Sequence, residues 1–134
     1  MAEAIELEVA TPERAVVSER VTDVQVPGQD GYLGILPGHA PLLSLLGAGA
    51  LSYSAGGVRH FLAVQGGLVE VLTGQVRVLA NLAERAEDID VAKARADLDL
   101  AQKQMYAATT GDASTAALEA VALANARIAA AAGK

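Results

Sequence analysis

The chain has 134 residues, no cysteine, and 10 basic against 16 acidic side chains, for a net charge of −6. That length suits one domain, or one domain with an appendage, and can bury a real core. The composition excludes disulfides and thiolate metal sites, and its acidity speaks against nucleic acid and anionic lipid, which need clustered Lys and Arg.

The opening "MAEAIELEVA" alternates, with Ile5, Leu7 and Val9 on one face and Glu6 and Glu8 on the other. It reads as a half-buried strand, not as a signal or transit peptide. "VRHFLAVQ", "LVEVLTG" and "QVRVLA" keep the same period of two, with turn residues between them. Gly56-Gly57 and Gly66-Gly67 suit tight hairpin turns, which need positive φ. Residues 1–86 are expected to form a β-sandwich or flattened barrel of about nine or ten short antiparallel strands.

The composition then changes. All 4 prolines lie at or before Pro41, whereas alanine crowds the stretch after residue 91. Residues 87–134 are expected to form a C-terminal antiparallel two-helix hairpin, making the whole chain α+β. Asp88 is placed as N-cap of a helix beginning near Ile89. Val91, Ala94, Leu98, Ala101 and Met105 form one helical stripe, and Ala117, Val121, Ala124, Ile128 and Ala131 repeat it. Between them, Gly111 with Asp112 or Ser114 stops one helix and caps the next. Alanine seams bury little area, at about 0.8 kcal/mol per methylene, so the hairpin is expected to be weakly held. No apolar run approaches the roughly 18–20 residues that span a bilayer, so direct lipid insertion is not expected.

The Gly-rich stretch "GYLGILPGHAPLL", residues 31–43, invites three chemical readings. It has no G-x-x-x-x-G-K-[ST] spacing, and no Lys or Arg lies between Arg20 and Arg59 to meet a phosphate. His39 has no Ser, Cys or carboxylate beside it in a nucleophile pattern. His60 lies in an alternating strand and is expected to face water. No catalytic residue and no metal site is therefore expected. What remains is a stiff loop, with Pro37 and Pro41 removing backbone donors, that carries more apolar surface than a loop needs.

The run "GYLGILPGHAPLLSLLGAGAL", continued by "FLAVQGGLVEVLTGQVRVLANLAERAEDID", resembles the ε subunit of bacterial F-type ATP synthases, equivalent to the mitochondrial δ subunit. The resemblance covers nearly the whole chain. It implies a non-catalytic central-stalk subunit that couples proton flow through the c-ring to ATP synthesis in the catalytic head. It implies γ and the c-ring as partners, and a peripheral place on the cytoplasmic face of the bacterial plasma (inner) membrane. The interface implied comprises Tyr32, Leu36, Pro37, Gly38, His39 and Pro41, with Tyr32 standing where many relatives carry an acidic residue.

The family also implies a regulatory hairpin. In some members it binds ATP when folded, and otherwise extends transiently into the α/β catalytic head and inhibits hydrolysis. The segment I-D-x-x-R-A reads "IDVAKA" here, so Asp90 matches and Lys93 replaces the arginine. Glu84 matches an upstream acidic position and Arg127 a basic one. Lysine lacks the planar fork that binds phosphate bidentately. Residues 113–134 offer only Arg127 and Lys134 as basic groups. No cofactor is required, regulatory ATP is a possible extra, and inhibition is expected to be weak at most. Two other classes stay open: a free-standing ligand-binding β-sandwich, and a small hydrolase built on His39 or His60.

Overall fold

The computed structural model describes residues 3–133. Eight strands make one curled sheet: β1 (Ile5–Ala10), β2 (Ala15–Val21), β3 (Asp23–Gly28), β4 (Gly31–Ile35), β5 (Leu42–Leu45), β6 (Ala48–Ala55), β7 (Val58–Leu72) and β8 (Gln75–Arg85). Neighbours run β2-β1-β8-β7-β6-β3-β4, with β5 paired to the far part of β7. The strand count is eight, rather than nine or ten, in part because β7 runs unbroken through Gly66-Gly67, which was read as a turn. β1 pairs with β8 in parallel, a departure from the antiparallel expectation.

The sheet wraps one apolar core. Ile5, Leu7 and Val9 enter it from β1 as their alternation predicts, and Val24, Val26, Leu51 and Tyr53 enter from β3 and β6. Each fully buried side chain of this kind contributes about 1.5–3 kcal/mol. On β7 both Leu62 and Val64 and, further on, Val69 and Val71 face inward; on β8 Val76, Val78 and Ala80 do, and then Ala83. Strict period two cannot give this. The two strands change faces at one level, where the ladder between Gln65↔Leu82 and Gly67↔Ala80 is interrupted. Gly66 and Gly67 sit there with φ of 70° and 123°. They are not the hairpin turn the sequence suggested. They bend a continuous strand from one layer of the sandwich into the other, the use of glycine by which sheets curve. Gly56-Gly57 does form the expected tight turn, joining Ala55 to Val58 with both φ positive.

A 3-10 turn (Ala86–Asp88) leads to α1 (Val91–Ala107) and α2 (Gly111–Gly133). Asp90, not Asp88, caps α1, accepting from the backbone N–H of Lys93 at 3.1 Å. Asp88 is used up in the tighter turn before it. Thr110, not Asp112 or Ser114, caps α2 through its Oγ1, which accepts from Ala113 N–H at 3.1 Å. The predicted stripes are inward: Ala94 and Ala101 of α1 and Ala117, Ala124 and Ala131 of α2 are buried. A second face of α2 meets the sheet. Ala126, Ala130 and Ala131 pack with Ala63 and Ile89 in a small separate cluster, joined by Ala50, Phe61 and Val91. Phe61 lies so close beneath Gly133 that a side chain there would strike its ring. α1 rests on α2 rather than on the strands, apart from Val91 at its start.

One expectation about membranes changes. α2, at 23 residues, is long and apolar enough by length and composition to cross a bilayer. Its apolarity comes from alanine, each too small to stand out as a hydrophobic run. Here only part of that alanine surface, at Ala117, Ala124, Ala126, Ala130 and Ala131, is turned to α1 and the sheet.

Gly67 offers the sharpest test of the bent strand. A Cβ at Gly67 would run into the carbonyl of Leu79, at a φ that L side chains rarely adopt. Gly67→Ala should destabilise the protein by roughly 3 kcal/mol or more, combining backbone strain with overpacking. Urea denaturation of the two proteins checks this, with Gly56→Ala, which meets no neighbouring atom, as the milder control.

Candidate functional site

The loop expected to meet partners forms one end of the sandwich. Leu36, Pro37, Gly38, His39 and Pro41 lie between β4 and β5, and all but Pro37 are exposed. The loop is preorganised: His39 N–H donates to Leu36 O at 3.1 Å, and Gly38 takes φ 85° to allow that turn. The His39 imidazole Nδ1 lies 2.7 Å from Ala40 O, so the ring is tied to its own backbone. Beside the loop, Arg20, Thr73 and Gly74 complete a cleft of about 590 Å³. No nucleophile adjoins His39, and the arrangement suits contact rather than chemistry.

Tyr32 stands apart from that loop. It lies in β4 opposite Pro27, and its hydroxyl accepts from Ala50 N–H at 3.1 Å. Gly49 leaves the room for that hydroxyl. An extended strand rises about 3.3 Å per residue, which puts Tyr32 roughly 13 Å from Leu36. Its ring is 54% exposed, but its polar atom serves the fold.

The register creates a surface that sequence reasoning missed. Leu45 pairs with Leu68, and Leu68 with Leu79, so three leucines form a row across β5, β7 and β8. All three face solvent, at 51%, 40% and 49% exposure, with Leu43 and Leu72 nearby also exposed. Beside the row Arg77 lies between Glu8 and Glu70 at 3.6 and 3.9 Å. The signal was present locally, since Leu68 and Leu79 share parity with Glu70 and Arg77. Their union needed the strand order.

At the base of the hairpin, the structure brings Glu84, Asp90, Lys93 and Arg127 together. They line one cavity of about 180 Å³ with Asp88, Ile89, Ala94 and Asp97. Each cation already has a carboxylate: Arg127 Nε donates to Glu84 at 2.6 Å, and Lys93 Nζ to Asp97 at 2.9 Å. The Arg127–Glu84 pair is the less exposed of the two. Four carboxylates and two cations surround this space, a field that repels polyphosphate. Lys134, the other basic residue considered for this helix, lies outside the described residues.

His60 does not face water as expected. It pairs with Tyr53 across β6 and β7 and stacks on it, with ring centroids 5.0 Å apart. The Tyr53 hydroxyl is buried with no hydrogen-bond partner among the described residues. Burial, reinforced by the Glu19 carboxylate, pushes its pKa up to about 12. On the opposite face, Arg59 donates to both oxygens of Asp23 at 2.7 Å and to Ser54 at 2.9 Å. Burial alone would raise the Asp23 carboxyl, but those hydrogen bonds hold it below its ordinary value. Neither cluster opens on a cavity with a nucleophile, and among the described residues no group of acids and histidines could hold a metal ion.

Residues 4–86 match the family model described as the ATP synthase, Delta/Epsilon chain, beta-sandwich domain. A protein of Solibacter usitatus named ATP synthase epsilon chain is 53% identical over 129 residues, covering 96% of each chain. Another of that name, from Nitratidesulfovibrio vulgaris, is 52% identical over 95 residues, covering 71% of each. Among solved structures, a chain of the Euglena gracilis mitochondrial ATP synthase superposes with a TM-score of 0.82 at 23% identity, covering 92% of this chain and 78% of its own. That last likeness speaks for the fold alone. On the sandwich match and the near full-length identity together, the chain belongs to the ATP synthase delta/epsilon chain family.

Proposed function

We propose that the chain works as the ε subunit of an F-type ATP synthase, a non-catalytic part of the rotor stalk that helps couple proton flow to ATP synthesis. The near full-length likeness to ATP synthase epsilon chains carries this reading. Its partners in this reading are γ and the c-ring, and its place is peripheral, at the cytoplasmic face of the bacterial inner membrane. The geometry supports a coupler. A sandwich whose two layers share the continuous strands β7 and β8 is stiff, and its exposed apolar groups sit on preorganised elements, so little order is lost when a partner docks. The leucine row is apolar enough to be the γ-facing side, and the loop at Leu36–Pro41 is the ring-facing end.

The hairpin pocket is a latch in this reading rather than a nucleotide site. Arg127 and Lys93 would have to abandon Glu84 and Asp97 to reach phosphates, amid further carboxylates. The hairpin is also poorly equipped to be held in the catalytic head. Arg127 is the sole basic residue among the described residues of 113–133, and it is engaged.

Three outcomes follow. Leu45→Glu or Leu68→Glu should lower affinity for γ about 30-fold or more, the cost of charging a buried anchor, while Leu36→Glu or His39→Glu should uncouple proton flow from synthesis. Pull-down with γ and proton-driven synthesis in reconstituted vesicles check these, and unchanged binding and coupling would defeat the placement. Thermal melts with and without millimolar ATP should coincide; a clear upward shift in Tm would mean that nucleotide binds the folded form. Finally, the full chain and its 1–85 fragment should inhibit the isolated catalytic head almost equally. The fragment keeps the whole main core, and a several-fold rise in ATPase rate without the hairpin would show strong inhibition instead.

A further inference from the structure

α2 docks on the sheet with a face made largely of methyl groups. Ala126 and Ala130 are buried in the cluster around Ala63, and Gly133, seven positions after Ala126, continues their helical stripe by one more step. Where the stripe drops from a methyl to a hydrogen, it meets Phe61, the one phenylalanine of the chain. A Cβ built on Gly133 would stand 2.6, 2.7 and 2.7 Å from Cε2, Cδ1 and Cδ2 of that ring. Near-equal distances to atoms on both sides of the ring put the glycine over its face, not at its rim. Gly133 does not end the helix with a left-handed turn either, since its φ is not positive. Gly111, the other glycine of α2, meets no neighbouring atom.

The polar ties between α2 and the strands are of a different kind. Among the described residues, Gln65 donates to Glu119 O at 2.9 Å and Arg127 to Glu84 at 2.6 Å. Water can take over either hydrogen bond when the helix lifts. Alanine methyls form low ridges that do little to fix the depth at which a helix sits. Phe61 is the one large side chain that the strands contribute to this cluster. It can carry the helix at its present height only while position 133 has no side chain.

We propose that the end of α2 is a clasp: Gly133, seated on the face of Phe61, sets the height of the helix and holds the hairpin shut on the sandwich. A side chain at position 133 opens it. The clasp is a property of the free chain and does not depend on the rotor-stalk reading.

The chain lacks cysteine, so Ala63→Cys places a single thiol beneath α2 at a fully buried position. The rate at which that thiol reacts with an aromatic disulfide reagent reports lifting of the helix. Below the unfolding transition this rate should hardly depend on urea, the mark of an opening that exposes little surface. In the same background Gly133→Ala should raise the rate about tenfold, the scale of overpacking a close contact. Helix propensity alone calls for the opposite sign, because alanine is the better helix former. Adding Phe61→Leu to Gly133→Ala trades ring volume for the new methyl and should bring the rate back to within about threefold of the parent. An unchanged or slower rate in Gly133→Ala overturns the clasp. So does a raised rate that Phe61→Leu fails to relieve, because the ring would then not be the cause. A rate that climbs steeply with urea in the parent means that α2 lifts only when the whole chain unfolds, which leaves no joint to clasp and overturns the proposal as well.

Discussion

Were β7 and β8 to keep strict alternation past Gln65 and Leu82, Val69, Val71, Val76 and Val78 would face water. The core would then lose one of its layers. The change of face at Gly66-Gly67 prevents this and lets two long strands serve both layers of the sandwich. β5 can then pair with the far part of β7, and β1 with the matching part of β8. The outward set on that half is thereby fixed as Leu45, Leu68 and Leu79. The exposed leucine row and the core are two consequences of one bend.

Rigidity follows from the same constraint. The strands β7 and β8 are continuous through both layers, so the layers cannot slide without breaking the ladder between them. A body that transmits torque has to resist such shear. The end loop inherits this stiffness through short tethers: β4 and β5 run directly into it, and the turn at Gly38 leaves it few conformations. What the loop presents to a partner is thus set by the sheet rather than by the loop's own flexibility.

Much of this was legible in the sequence, and the misses share a cause. Ile5, Leu7 and Val9 announced a half-buried strand because period two is a local property. Gly56-Gly57 announced a turn for the same reason. Gly66-Gly67 was misread because a hairpin turn and a strand bend ask the same positive φ of glycine, and only the partner strand tells them apart. The parallel pairing of β1 with β8 joins segments some seventy positions apart, beyond any local pattern. The four residues of the hairpin pocket were identified as a set by resemblance, and the structure does bring them together. The carboxylates that occupy both cations were visible too, but their partners could not be assigned before Glu84 and Arg127 were placed side by side. Asp90 displaced Asp88 as cap because a 3-10 turn, which local propensity hardly signals, claimed the earlier acid.

The alanine composition of α2 reaches beyond packing strength. The helix meets the sheet mainly through alanine methyls, and an alanine side chain has no rotamers to lose on docking. The surface hidden beneath it is small, and the heat capacity of exposing surface scales with its apolar area. Lifting the hairpin from the sandwich should therefore carry little heat capacity change and little curvature with temperature. Besides alanine packing the joint is held by the Arg127–Glu84 pair and by Gln65, whose side-chain amide donates to Glu119 O at 2.9 Å, and the ionic part of that hold responds to salt more than to warmth. A cell that cools or warms would leave this joint nearly where it was, while the core beneath it follows the ordinary stability curve of a folded domain.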